Sequence, residues 1–119
     1  MTSKDGKVHQ WGSDEEERDL LHIDDLVKFV ELALEKQTQP YSLYNVGAGK
    51  AISIADLVKK IVELSGRDLK IVKDLNKPTI KTSLFLDCSK AYNQLGWKPS
   101  IDLEEGIVRT LQWYRENLL

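Results

Sequence analysis

Ser53 with Asp56 three residues later, then Ile54, Leu57, Val58, Ile61 and Leu64, then Gly66, restrict the fold more tightly than any other run in this sequence. A hydroxyl and a carboxylate at that spacing form a capping box, each satisfying a backbone amide that a helix start leaves orphaned. Apolar residues three and four apart line one helical face, and a glycine just beyond them takes the left-handed conformation that ends the helix. The result is a helix with one apolar side that must be covered.

The same grammar recurs along the chain. Leu26, Phe29, Val30, Ala33 and Leu34 predict an amphipathic helix with Asp24 or Asp25 at its start. A two-turn helix through Leu95 is opened by Asp87 or Ser89 and stopped by Gly96. Asp102 and Glu105 open a terminal helix striped by Leu103, Ile107, Leu111, Tyr114 and Leu118, with Glu105 and Arg109 spaced for an ion pair. Between the helices lie short stretches of strand character: a weakly alternating 8–11, an apolar 18–23, an aromatic 41–46, an alternating 69–73, and 83–86. Gly47-Ala48-Gly49-Lys50 and Trp97-Lys98-Pro99 are turns, and the loop 74–82 holds Lys77-Pro78. Helices alternating with short strands indicate an α/β domain, or an α+β fragment of one.

Composition removes several functions. With 17 basic against 19 acidic residues the net charge is −2, which builds no field for a phosphate backbone, so nucleic acid is not an expected partner. No apolar run approaches the roughly 20 residues a membrane span needs, and no membrane partner is expected. Residues 1–7 read as a disordered lead-in and 8–119 as one domain. The acidic run 14–17 reads as a solvated turn. One cysteine, Cys88, excludes an internal disulfide and fits a reducing cytoplasm.

Few residues carry chemistry by themselves. Gly47-Ala48-Gly49 follows a strand and precedes a helix, but Ile52 stands where a dinucleotide fingerprint needs its third glycine, so a tight turn is the better reading. His22-Ile23-Asp24-Asp25 sets mixed donors too close together to chelate a metal from one helix face. Cys88 has no base beside it in sequence and reads as an inert thiol. Arg18, between acidic residues and an apolar stretch, either pairs with residues 15–17 or turns inward as a bidentate phosphate donor. Lys77, beside Pro78, offers a second positive charge, although by itself it reads as a solvated loop lysine.

Taken together, Trp11-Gly12, Arg18-Asp19-Leu20-Leu21-His22-Ile23-Asp24-Asp25-Leu26, Tyr44-Asn45-Val46-Gly47-Ala48-Gly49, Ser53-Ile54, Lys77-Pro78, Leu86-Asp87-Cys88-Ser89-Lys90-Ala91, Leu95-Gly96-Trp97-Lys98-Pro99, Leu103-Glu104-Glu105-Gly106-Ile107 and Trp113-Tyr114 form an ordered series. It resembles the C-terminal third of the extended short-chain dehydrogenase/reductases, the NAD-dependent nucleotide-sugar epimerases, dehydratases and reductases. The resemblance implies that Arg18 grips the diphosphate of a nucleotide-diphosphate sugar and that Lys77 holds a second diphosphate position, with Lys-Pro as in the sugar-reductase branch. Thr79-Ile80 departs from a common Gly-Asp pair, which weakens the Lys77 assignment.

The family's catalysis also needs a glycine-rich cofactor turn and a Tyr-x-x-x-Lys pair, and neither is present in this sequence. The expectation is a substrate-binding fragment that catalyses no hydride transfer alone and binds no cofactor alone, NAD or NADP belonging to the intact parent. The alternative is a non-catalytic binding or oligomerisation module of the same descent. By the resemblance, residues 8–50 supply elements that pack on a cofactor domain, and 51–119 form the substrate lobe. Apolar faces left open in this way predict a homodimer or a segment-exchanged dimer.

Overall fold

A computed structural model describes residues 6–11, 16–74 and 83–118, with elements in the order β1 (Lys7–Trp11), β2 (Glu17–Arg18), α1 (Ile23–Lys36), β3 (Ile52–Ser53), α2 (Ile54–Ser65), β4 (Lys70–Asp74), α3 (Ser89–Leu95) and α4 (Leu103–Leu118). β1 pairs with β4 in parallel, from Lys7 opposite Lys70 to Trp11 opposite Asp74. β2 pairs antiparallel with β3, placing Arg18 opposite Ile52, and Glu17 also bridges Ser83. Both pairings join early to late sequence, so residues before α1 are tied to those after it.

The best-specified helix forms as its sequence requires. Ser53 Oγ accepts the Asp56 amide at 3.1 Å, and Gly66 closes α2 at φ 70°. Gly96 ends α3 with the same positive φ, and Asp102 Oδ1 accepts the Glu105 amide at 2.8 Å ahead of α4. The predicted Glu105–Arg109 pair is present at 2.7 Å.

Three local expectations are corrected. The N-cap of α1 is His22, whose Nδ1 accepts the Asp24 amide at 3.0 Å, and this leaves Asp25 inside the first turn to serve another purpose. The N-cap of α3 is Cys88 with no side-chain capping bond, although Asp87 Oδ1 accepts the Ser89 amide at 3.0 Å. Residues 41–46 alternate between exposed and half-buried with the period of a strand, yet belong to no ladder among the described residues. Side-chain period reports which face meets the core, whereas a ladder needs a neighbouring backbone.

The core is small and lies between α1 and α3. Ala91, Leu95 and Trp97 are buried, with Phe29, Leu32, Ala33, Tyr44 and Val46 packed around them. Phe29 meets Tyr44 and Trp97 edge-on, at centroid distances of 5.5 and 5.9 Å, the offset geometry that aromatic quadrupoles favour. Asp25 fastens this core. Its backbone carbonyl accepts Trp97 Nε1 at 2.9 Å, while its buried carboxylate accepts Ser100 N, Ser100 Oγ and Ile101 N at 2.9–3.1 Å. Burial alone would raise the pKa of that carboxyl, but the donors from Ile101 and Ser100, with His22 nearby, outweigh it and hold it below the usual 3.8.

The radius of gyration is 17.1 Å and the principal extents are 53 × 35 × 19 Å. A compact domain of this length has a radius near ~13.5 Å. The difference shows on the surface, where Ile23, Val27, Val30 and Leu34 of α1, with Tyr41 and Leu43 beyond it, are exposed.

Candidate functional site

Arg18 sits on a strand only two residues long, and that strand is held from three directions. β3 pairs with it, the Glu16 carbonyl accepts the Ile54 amide at 2.8 Å at the start of α2, and Glu17 bridges Ser83. The guanidinium, a third exposed, donates from Nη1 to the Glu17 carbonyl at 2.9 Å and from Nη2 to the Glu16 carboxylate at 3.1 Å. One arm of a fork suited to bidentate anions is therefore already engaged by a carboxylate from its own strand end. Lys77 lies outside the described residues, in the connection whose described flanks are Asp74 and Ser83. Asp74 ends the strand paired with β1, and Ser83 bridges Glu17, so both flanks meet the segment leading to Arg18.

Asp19, the residue after Arg18, organises the surroundings and was not singled out from the sequence. Its carboxylate accepts three backbone amides, from Ala48 at 2.6 Å, Gly49 at 2.9 Å and Leu86 at 3.0 Å. A β-carbon on Gly47 would lie 2.8 Å from Asp19 Oδ2, so glycine is required by close approach. Gly49 adopts φ +74°, which also favours glycine. The amides of this turn thus face an internal anion and form no cradle for a cofactor pyrophosphate, as the tight-turn reading of the sequence has it. The one hint in the sequence is a glycine-bounded turn whose successive amides, of Ala48 and Gly49, can take an anion, but spacing alone does not say which of the many acids supplies it.

Beside β3 lies a hollow of about 590 Å³, whose wall includes Ala48, Lys50, Ile52, Lys60, Ser100 and Asp102. Ile52 is the ladder partner of Arg18, but Arg18 itself does not line the hollow. Across it Lys60 pairs with Glu104 at 2.8 Å, and that hydrogen bond and charge raise the pKa of the ammonium.

The remaining chemical candidates stay separate. Among the described residues no group of His, Cys, Asp and Glu side chains is placed to hold a metal. Cys88 packs its Sγ 3.5 Å from the Gly47 carbonyl, and burial pushes the thiol pKa up, opposite to the shift that activates a nucleophile. No helix among the described residues is long and apolar enough to cross a membrane.

A protein-family model described as GDP-mannose 4,6 dehydratase matches residues 1–110. Probable GDP-L-fucose synthase 1 of Oryza sativa subsp. japonica is 35% identical over 117 residues, covering 98% of this chain and 35% of that protein. GDP-L-fucose synthase of Escherichia coli strain K12 is 37% identical over 115 residues, 90% of this chain and 36% of that protein. The structure of UDP-glucose 4-epimerase from Thermotoga maritima, solved with UDP-glucose, matches with a TM-score of 0.85 at 33% identity, over 97% of this chain and 37% of that one. The chain spans about a third of the length of the curated relatives it matches. Its alternating helices and strands are those of the α/β epimerase and dehydratase structures.

Proposed function

Because this chain belongs to the GDP-mannose 4,6 dehydratase family, we propose that it is the C-terminal, substrate-binding part of an extended short-chain dehydrogenase/reductase acting on nucleotide-diphosphate sugars. Arg18 is its diphosphate contact and Lys77 the second. The observation that carries this reading is the position of Arg18. Its strand is pinned by β3, by the start of α2 and by Ser83, beside the flanks of the connection that bears Lys77. A diphosphate calls for a bidentate guanidinium, since its charge is held poorly by a lone surface lysine.

Glu16 is then a stand-in for the ligand. Its carboxylate engages Nη2 and gives way when a doubly anionic group offers a better-matched pair of acceptors. The chain's own residues bind and orient the sugar nucleotide. Hydride transfer belongs to NAD or NADP held by another part of the parent, since the turn at Gly47–Gly49 is closed by Asp19. A cytoplasmic setting accords with the free thiol of Cys88.

In this reading the elements within residues 8–50 meet the cofactor-binding part, and 51–119 form the substrate lobe. The exposed stripe of α1 supports a packing role for the first segment. The same stripe favours a second reading, a non-catalytic binding or oligomerisation module, in which it pairs with another copy as a homodimer or segment-exchanged dimer.

Calorimetry with UDP- and GDP-sugars at millimolar concentration tests the assignment. Wild type is expected to bind, Arg18→Ala to lose tenfold or more, on the order of one charge-assisted hydrogen bond or better, and Glu16→Gln to bind more tightly. Equal binding by wild type and Arg18→Ala would refute the clamp.

A further inference from the structure

The residues on either side of Arg18 are tied to one and the same segment. Glu17, before it, bridges Ser83, and Asp19, after it, accepts the Leu86 amide at 3.0 Å. The half-buried Asp19 carboxylate also accepts Ala48 N at 2.6 Å and Gly49 N at 2.9 Å. On the reading that Arg18 grips the diphosphate, we propose that Asp19 is its positioning residue, fixing the backbone from which the guanidinium is aimed.

The guanidinium bonds to the Glu17 carbonyl and the Glu16 carboxylate both end on residues of its own strand end. They turn with the strand, so they do not set its direction relative to the rest of the molecule. Direction comes from the backbone. Up to Arg18 the backbone is held by a ladder of two residue pairs, Glu17 opposite Ser53 and Arg18 opposite Ile52, and by the bridge to Ser83. Beyond Arg18 the ladder stops and Asp19 takes over, with three backbone donors that lie 29 to 67 positions away. Hydrogen bonds to an ionised acceptor are roughly twice as strong as neutral ones, so each of these outweighs a rung of the ladder.

The anchor needs a carboxylate. Oδ1 takes Ala48 N, and Oδ2 takes both Gly49 N and Leu86 N. Asparagine has one acceptor oxygen, and its NH2 group would meet at least one of these amides donor to donor. Gly47 keeps the space open, since a β-carbon there would lie 2.8 Å from Oδ2 and 3.0 Å from Leu86 Cδ1.

A double-mutant cycle tests the role, with GDP and UDP affinities measured by calorimetry on the 119-residue chain carrying Arg18→Ala, Asp19→Asn, both or neither. Asp19→Asn is expected to weaken nucleotide binding about fivefold when Arg18 is present, and to change it by less than about twofold in the Arg18→Ala background, the usual limit of additivity. A purely structural role would cost the same factor in both backgrounds. Gly47→Ala pushes the carboxylate aside while leaving Asp19 and Arg18 in place, and is expected to reproduce the loss with helix content by circular dichroism retained. Hydrogen exchange supplies a reading on the wild-type chain, which also decides the matter where a variant does not fold or binds too weakly to titrate. Saturating nucleotide should slow exchange of the Ala48, Gly49 and Leu86 amides, because a ligand that favours the anchored state stabilises it in return. Equal binding by wild type and Arg18→Ala, or no binding by wild type, refutes the diphosphate assignment and the positioning role with it. The positioning role alone is overturned if Arg18→Ala loses affinity while Asp19→Asn does not, if Asp19→Asn costs the same factor in both backgrounds, or if exchange of the three amides is unchanged at saturation.

Discussion

On its inner side α1 sets Phe29, Leu32 and Ala33 against Ala91, Leu95 and Trp97, whereas on its outer side Ile23, Val27, Val30 and Leu34, spaced by four, three and four residues, stand exposed. Both stripes are apolar and both have helical spacing, so neither composition nor period distinguishes them. They differ in what seals them. The inner side is closed by Asp25, which takes Trp97 Nε1 on its carbonyl and three donors on its carboxylate. No comparable polar latch borders the outer stripe among the described residues. The helix therefore has one face that stabilises this chain and one that stays exposed.

The largest expected effect lies on the inner face. Trp97→Ala removes a fully buried ring and leaves a cavity, and should cost about 3–5 kcal/mol in chemical denaturation. Asp25→Ala should follow at about 3 kcal/mol, because it strands the Ser100 and Ile101 amides. The same carboxylate gives a pH signature. Its folded pKa is depressed, so its contribution is fully present above the unfolded value near 3.8 and is lost as pH falls through the lower folded value. Asp25→Asn should flatten that part of an acid-unfolding curve. On the outer face, Val30→Lys with Leu34→Glu should change stability by less than about 0.5 kcal/mol; on the homodimer reading the same pair should also shift sedimentation equilibrium toward monomer. A loss on the outer face as large as at Trp97 would break the comparison, showing that both sides are core.

The legibility of the sequence follows the same division. Local features were readable: the Ser53 cap, the Gly66 and Gly96 stops, the Glu105–Arg109 pair and the α4 start each depend on residues within four positions of one another. Features built from distant residues were not. Asp19 and Asp25 look in sequence like a charge beside Arg18 and a capping acid, yet each accepts donors from segments 29 to 76 positions away. His22 caps α1 although Asp24 and Asp25 are the stronger capping types, because the Asp25 carboxylate is taken up by Ser100 and Ile101. Residues 41–46 show strand period without a ladder, since period is local and pairing is not. Arg18 was singled out, but its engagement by Glu16 and the Glu17 carbonyl required the fold of β2.

That engagement offers the most direct measurement of the central claim. The Arg18 guanidinium N–H resonances can be followed by NMR during titration with GDP and with UDP, in wild type and in Glu16→Gln. The diphosphate assignment predicts that these resonances shift and saturate, at lower ligand concentration in Glu16→Gln. Arg18 resonances that stay fixed while the nucleotide binds elsewhere on the chain would contradict it.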